Sequence, residues 1–438
     1  MSLVRYRVAA GGAVVFVLAA LAIPSDAAGS HTRWNLPVLI SSTQAARETS
    51  IALDPTNPSR AFVCDPSGVP DTQDGQSYFF TTSNGGKKWD YESVETSSSD
   101  SRRAAFEGGD CDVAYDSAGT MYSADTWLGD LSVGHSTDHG QSWSGTSLAG
   151  SSPIVDRPWL VGGKPGELFV AYQDLQCCLP AAMWFMKSTD YGQTFTQAVS
   201  VVGPTTDALY TWEGNFVVSP GGQDIYLVYS RRSSAGVRVN VDIPGLPMAK
   251  QETIWVTHSA DGGKTWTPRL VATLPTETST IYPSIGLDTG GTLHVAWSAP
   301  SRIGNPISYT WSTDDGDTWV PAVPLNPGKV GWAPWVVSGG KPGQAAVVWL
   351  GSDDPKASSA RKSSWFFSFA KVDSRRANPV VEVANTTRTR MYRGLQVEPE
   401  FEMAHFDKRG KLHLGMSVYK TAKKGQSDHW AVYSQTER

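Results

Sequence analysis

Cysteine is scarce, with four residues in 438, and the pair Cys177-Cys178 has no histidine nearby, which excludes a zinc site there. Runs of basic residues are absent and the formal net charge is −5, so a nucleic-acid partner is not expected. Beyond the N-terminus no apolar run is long enough to span a bilayer. A phosphate-binding glycine loop and a serine nucleophile elbow are also missing. What is abundant is glycine (42) and tryptophan (17), the composition of packed β-sheets joined by tight turns.

The first residues read as an export signal. Arg5 and Arg7 precede an apolar run from Ala13 to Ile23, and Ser25-Asp26-Ala27 offers small residues for cleavage after Ala27. Residues 1–27 are therefore expected to be a signal peptide and 28–438 one secreted, monomeric domain. No cysteine follows the cleavage site, so no lipid anchor is indicated. Export permits disulfides. Of the three pairings possible, Cys64–Cys111 is favoured, leaving Cys177 and Cys178 as a vicinal bridge or two thiols.

One octapeptide recurs. Ser259-Ala260-Asp261-Gly262-Gly263-Lys264-Thr265-Trp266 follows an alternating run, its Asp suited to cap free N–H groups and its glycines to positive φ. Copies close on Trp143, Phe195 and Trp319, and a looser one, with Asn84 in the Asp place, closes on Trp89. A repeat at this spacing means one supersecondary unit used many times. The octapeptides resemble the Asp-boxes of the sialidase superfamily. That resemblance implies a β-propeller whose boxes are structural turns on the face away from the active site.

Aligning the units gives an all-β fold of seven four-stranded blades, against the six of sialidases, which remain the alternative. The last unit lacks a fourth strand after residues 429–434, and Leu36 to Ile40 at the mature N-terminus is the spare that would close the ring. The sixth unit's turn, Val372-Asp373-Ser374-Arg375, has lost the box. Two insertions, residues 231–252 and 386–400, are longer than the fold requires, and such loops tend to carry function.

The innermost strand of a blade begins where the second ends, on one face. The innermost strands begin with Glu48, Asp110, Asp156, Glu213, Tyr282, Trp332 and Phe401. The second strands of the first four units end with Asp65, Asp125, Asp174 and Arg231. Acids from early blades facing rings from late ones suit a carbohydrate: carboxylates bind hydroxyls or move protons, and aromatics stack on sugar faces. Against this, acids at strand ends often cap turns or pair with arginine, and Asp156-Arg157-Pro158 reads equally as a pin between blades.

The sialidase resemblance implies three arginines, an Asp acid/base and a Tyr nucleophile activated by a Glu. Glu213 and Arg231 stand in the family's relation of Glu to one arginine, Arg47 opens the first inner strand as its first arginine does, and Asp71 or Asp74 lies where its acid would be. The third arginine is Arg302 or Arg393 and the tyrosine Tyr392 or Tyr282. A conventional two-carboxylate glycosidase would instead draw on Asp110, Asp125, Asp156 or Glu213, with Arg157, Asp174 and Trp332 in the same cleft. The expected activity is a secreted, sialidase-like glycoside hydrolase acting on glycans, an exo-α-sialidase in its narrowest form. The alternative is a non-catalytic propeller that binds glycan or protein. A polysaccharide lyase ranks lower, because most histidines fall within strands or on the box side. No cofactor is expected beyond structural calcium bridging acidic strand ends.

Overall fold

The structure is a computed structural model that describes residues 32–42, 48–66, 77–92, 110–127, 130–148, 155–174, 182–202, 208–233, 252–274, 283–298, 306–354, 364–387, 392–393, 401–420 and 429–438. The expected signal peptide, Cys177 and Cys178 lie outside the described residues. Every regular element among the described residues is a β-strand, and the strands form seven antiparallel sheets around a common axis. In chain order the innermost strands of blades 1 to 7 are Glu48–Leu53, Cys111–Tyr115, Val155–Gly162, Ala208–Val218, Ser284–Leu287, Val330–Ser338 and Ala404–Phe406. The seven-bladed reading holds, and six blades do not.

Burial explains the sequence pattern of each blade. Second strands are sandwiched between neighbouring sheets, so Leu168–Asp174 and Leu293–Ser298 are buried at every position and read as continuous runs. Outer strands such as Thr267–Thr273 have no fully buried position.

The ring closes as expected. Val38–Ser41 pairs antiparallel with His429–Thr436, with Val38 opposite Ser434, and Trp34 bridges to Glu437. The strand starts one residue after Pro37, which has no N–H to give a ladder. One detail differs from the sequence alignment. Phe401–Glu402 leaves blade 7 and pairs in parallel with Glu48 and Thr49 of blade 1, so the closing seam is double. The sixth blade keeps its turn without a box, because Asp373 accepts the N–H of Arg375 and is clasped by its guanidinium.

The octapeptide turns are built alike. In the Ser259–Trp266 copy, Asp261 accepts the Ser259 hydroxyl at 2.8 Å, the Thr265 N–H at 2.9 Å and the Thr265 hydroxyl at 2.6 Å, while Ser259 accepts the Gly263 N–H at 2.8 Å. The fourth and fifth positions both take positive φ, and three copies put a side chain at the fourth: His139 (62°), Tyr191 (64°) and Asp315 (58°). Each of these reaches the preceding blade. His139 meets Arg60 at 2.8 Å, Tyr191 packs beside the His135 ring, and Asp315 accepts the Tyr226 hydroxyl at 2.8 Å. The closing aromatics do the same: Trp143 meets Phe62, Trp266 meets Phe185, and Trp89 donates to Ser434. The box is therefore a staple between blades as well as a hairpin turn.

Buried polar groups pin the inner strands to one another. Asp112 accepts the Ser50 hydroxyl from blade 1 and the Leu160 N–H of blade 3 at 2.7 Å. Asn215 holds Ser284 and Ile285 of blade 5, Ser284 accepts the Val336 N–H of blade 6, and Trp335 donates to the Ala404 carbonyl of blade 7. Thr49 shares a hydrogen bond with Ser417 across the closing seam. Close backbone approach is the other requirement. A Cβ on Gly214 would sit 1.8 Å from the Pro283 carbonyl oxygen, where no side chain fits.

Gly214→Ala is expected to destabilise by about 3 kcal/mol, at the top of the overpacking range, in urea unfolding, whereas Gly221→Ala, with open space around it, is expected to be neutral. Acid sensitivity should begin in blade 7. Burial, then the neighbouring His413, lowers His405 from 6.5 to about 4. Between those values the unfolded chain binds more protons, so stability is full above pH 6.5 and falls as pH drops towards about 4. Melting temperature followed against pH should show this loss, and His405→Gln should flatten it.

Candidate functional site

The site begins with a kink. In blade 3 the pairing of the innermost strand slips between Asp156, opposite Gln173, and Trp159, opposite Ala171. Arg157 takes φ 28° and Pro158 follows it. Proline fixes its own φ and gives no ladder hydrogen bond, so a bulge here costs little pairing. Blade 6 repeats the device: the register slips between Trp332 and Trp335, Ala333 takes φ 48°, and Pro334 follows.

The two bulges turn their residues inward. The Arg157 guanidinium lies 4.5 Å above the Trp159 ring, and Trp159 stacks on Trp335 with centroids 5.5 Å apart. Blades 3 and 6 are not neighbours, so this pair spans the axis of the ring. Arg157 then reaches blade 1, where its Nη1 lies 3.4 Å from Glu48 Oε2. Arg157 is 2% and Glu48 7% exposed.

Asp110 of blade 2 joins them. Burial pushes its carboxyl up, but hydrogen bonds with Glu48 and Asp156 and the charge of Arg157 outweigh that and leave it below the usual range. Three carboxyls thus gather near one guanidinium, and the Asp110 carboxyl among them is held low. Asp112, two residues on, is pushed the other way, its burial prevailing over Arg157 and its hydrogen bonds.

The remaining expected residues fall as follows. Asp174, opposite Val155, ends its second strand, whereas Asp125, opposite Cys111 and expected to end its strand, lies two residues short of the end at Trp127; both are buried. Arg231 is half-buried in blade 4 opposite Thr211, two positions from the pair formed by Glu213 and Tyr229. Burial pushes the Tyr229 hydroxyl up, and the charge of Arg231 offsets part of that. Trp332 is half-buried at the start of blade 6. Tyr392 and Arg393 pair with Trp365 and Ser364 on the third strand of blade 6, away from the innermost strands. Of Glu213, Tyr392 and Arg393 only the main chain is described, and Arg47, Asp71, Tyr282 and Arg302 lie outside the described residues.

The structure thus gathers Asp110, Asp156 and Arg157 with Glu48 into one cluster. Sequence reasoning did not single out Trp159 and Trp335 beneath it. The signal was present in the twin tetrapeptides Asp156-Arg157-Pro158-Trp159 and Trp332-Ala333-Pro334-Trp335.

Below the tryptophan pair, on the octapeptide side, a cavity of about 610 Å³ is lined by inner-strand ends from all seven blades. Its acids are committed: Asp54 holds the Thr56 and Asn57 N–H groups, Asp407 those of Arg409 and Lys411, and Asp112 the pins described above. The Asp110 cluster lies on the other side of the pair. Among the described residues no group of three or more acidic, histidine or cysteine side chains is arranged to hold a metal ion, and no helix is long and apolar enough to cross a membrane.

No protein-family model matches the chain, and no curated protein sequence does. Solved structures do match. The polysaccharide lyase Uly1 aligns with a TM-score of 0.55 at 12% identity over 94% of each chain. A protein of unknown function from Dyadobacter fermentans aligns at 0.53 and 13% identity, over 93% of this chain and 99% of that one. The NanB sialidase of Streptococcus pneumoniae aligns at 0.47 and 10% identity, over 86% and 83%. At these identities the likeness is one of fold.

Arg157→Met is expected to destabilise by about 3–5 kcal/mol in denaturant titration, because it leaves Glu48 buried without its cation. Arg157→Lys is expected to recover only part of this, since an ammonium cannot keep both the planar stack on Trp159 and the reach to Glu48.

Proposed function

We propose that the protein is a secreted glycoside hydrolase that uses the loop-bearing face of the propeller, above the tryptophan pair, to cleave a neutral glycan. The observation that supports this is the gathering of Asp110, Glu48 and Asp156 around one buried guanidinium. In this reading a carboxyl beside Asp110, rather than the low-pKa Asp110 itself, gives a proton to a leaving oxygen and takes it back, the role of the acid in glycosidic cleavage. Carboxyls in hydrogen-bonding contact are too close to flank a glycosidic bond, which needs roughly 5 Å or more between the pair. The cluster is therefore one member of the pair. Glu213 is the other: expected to open the innermost strand of blade 4, which starts at Ala208, it stands midway along that strand opposite Tyr229, in the blade next to the one that carries Asp156. In this reading Trp332 and Arg231, both half-buried, stack on and hydrogen-bond a sugar ring.

Sialic acid is the less favoured substrate. Its carboxylate would enter a face where the buried Arg157 is already engaged by Glu48, while Arg393 pairs with the third strand of blade 6. A lyase reading finds little support in the described histidines, since His294 is held by Asp288 and Tyr309 and His413 by Asp407, all away from this face.

The depth of the Arg157–Glu48 pair favours a second reading, in which the cluster is an inter-blade clamp and the face only binds glycan. The experiment is a turnover screen on neutral oligosaccharides, aryl glycosides and sialosides, with glycan binding measured in parallel. Asp110→Asn and Glu213→Gln are each expected to lower kcat about 10²–10⁴-fold on the best neutral substrate. Binding without turnover by the wild-type protein selects the clamp reading.

A further inference from the structure

The Cys64–Cys111 disulfide joins the second strand of blade 1 to the innermost strand of blade 2, with Cα atoms 6.4 Å apart and both residues fully buried. Its surroundings are unusual for a bridge that only closes a loop. Cys111 lies between Asp110 and Asp112 in the chain and opposite Asp125 in the sheet, and Cys64 precedes Asp65. Asp110 belongs to the carboxyl cluster. Asp112 reaches both ways, to Ser50 of blade 1 and to the Leu160 N–H of blade 3. Asp65 accepts the Thr49 hydroxyl at 3.2 Å, and Thr49 follows Glu48.

We infer that the Cys64–Cys111 bridge is a positioning element of the carboxylate cluster, fixing the main chain that carries Asp110 and Asp112 and, through Asp112, the strand that carries Arg157. The physical reason is the cost of enclosing carboxyls. Asp65, Asp112 and Asp125 are buried on strands of two neighbouring blades, with Asp110 directly before Cys111, and enclosed carboxyls depend on partners held at fixed positions. A covalent link between those strands holds the acids at fixed spacing, which hydrogen bonds alone do weakly once a carboxyl changes its protonation. The bridge therefore makes the cluster's geometry depend on an oxidising compartment, as the export signal would supply.

The inference rests on the hydrolase reading only in calling the cluster catalytic; the mechanical claim is tested without it. Hydrogen exchange is followed by mass spectrometry in the full-length protein and in its Cys64→Ser/Cys111→Ser variant. Segments 111–115 and 155–162 are expected to exchange about tenfold faster in the variant, with blade 5 (284–298) unchanged. The rise at 155–162 is the diagnostic, because that strand carries neither cysteine and is reached through Asp112. No rise there, or an equal rise in blade 5, overturns the inference. Should the serine pair fail to fold, the apolar Cys64→Val/Cys111→Ala pair is read the same way. Where a glycan is turned over, kcat should fall about tenfold with KM nearly constant. Absence of turnover on every glycan counts against the hydrolase and leaves the exchange measurement to decide the role of the bridge.

Discussion

The whole structure depends on ring closure. A four-stranded sheet of this chain is apolar on both faces, as the fully buried second strands show, and no single blade can cover itself. Only a closed circle of sheets gives each one two neighbours. The circle is shut by the strand Val38–Ser41 entering the last blade, and again by Phe401–Glu402 crossing to blade 1. Residues some 400 positions apart are thereby made neighbours, and Glu48 is brought to the same level as Arg157.

Closure also explains why polar groups are buried so near the axis. Seven inner strands crowd around a narrow channel, where large apolar side chains from every blade would collide. Small and polar residues such as Ser50, Asp112, Asn215 and Ser284 fill that shell and bond to the next blade's backbone. Between blades 3 and 4 the join is aromatic instead, with Phe185 edge-on to Phe216 and Trp266. The two bulges sit above this shell, one on each side of the channel. They trade ladder hydrogen bonds for inward-pointing side chains, and the result is a column of Trp335, Trp159 and Arg157 that carries the acids above it.

Charge in the cluster follows from the same geometry. A surface pair of Arg and Glu would gain little, but here one guanidinium is enclosed with several carboxyls and cannot neutralise them all. The acids divide into one held low, Asp110, and one held high, Asp112. Two acids adjacent to the same cysteine thus differ because hydrogen bonds and the guanidinium charge outweigh burial at one, while burial prevails at the other.

Much of the architecture was legible in the residues themselves. The octapeptide repeats, the paired apolar runs and the spare N-terminal strand led to seven blades with the right closure, because local turn chemistry and two-sided burial leave direct marks on sequence. The favoured Cys64–Cys111 pairing, one of three that the cysteine count allows, is the bridge present in the structure. The sequence also placed Asp110, Asp156 and Arg157 at one level, since residues at equivalent positions of a repeat share a face. What it did not reveal was which of them meet. The bulges that swing Arg157 over Trp159 and onto Glu48, and the stacking of Trp159 on Trp335 across the axis, join residues from blades that are far apart in the chain. No local pattern encodes such a contact. It exists because the ring has a centre, and only the closed ring decides which side chains reach it.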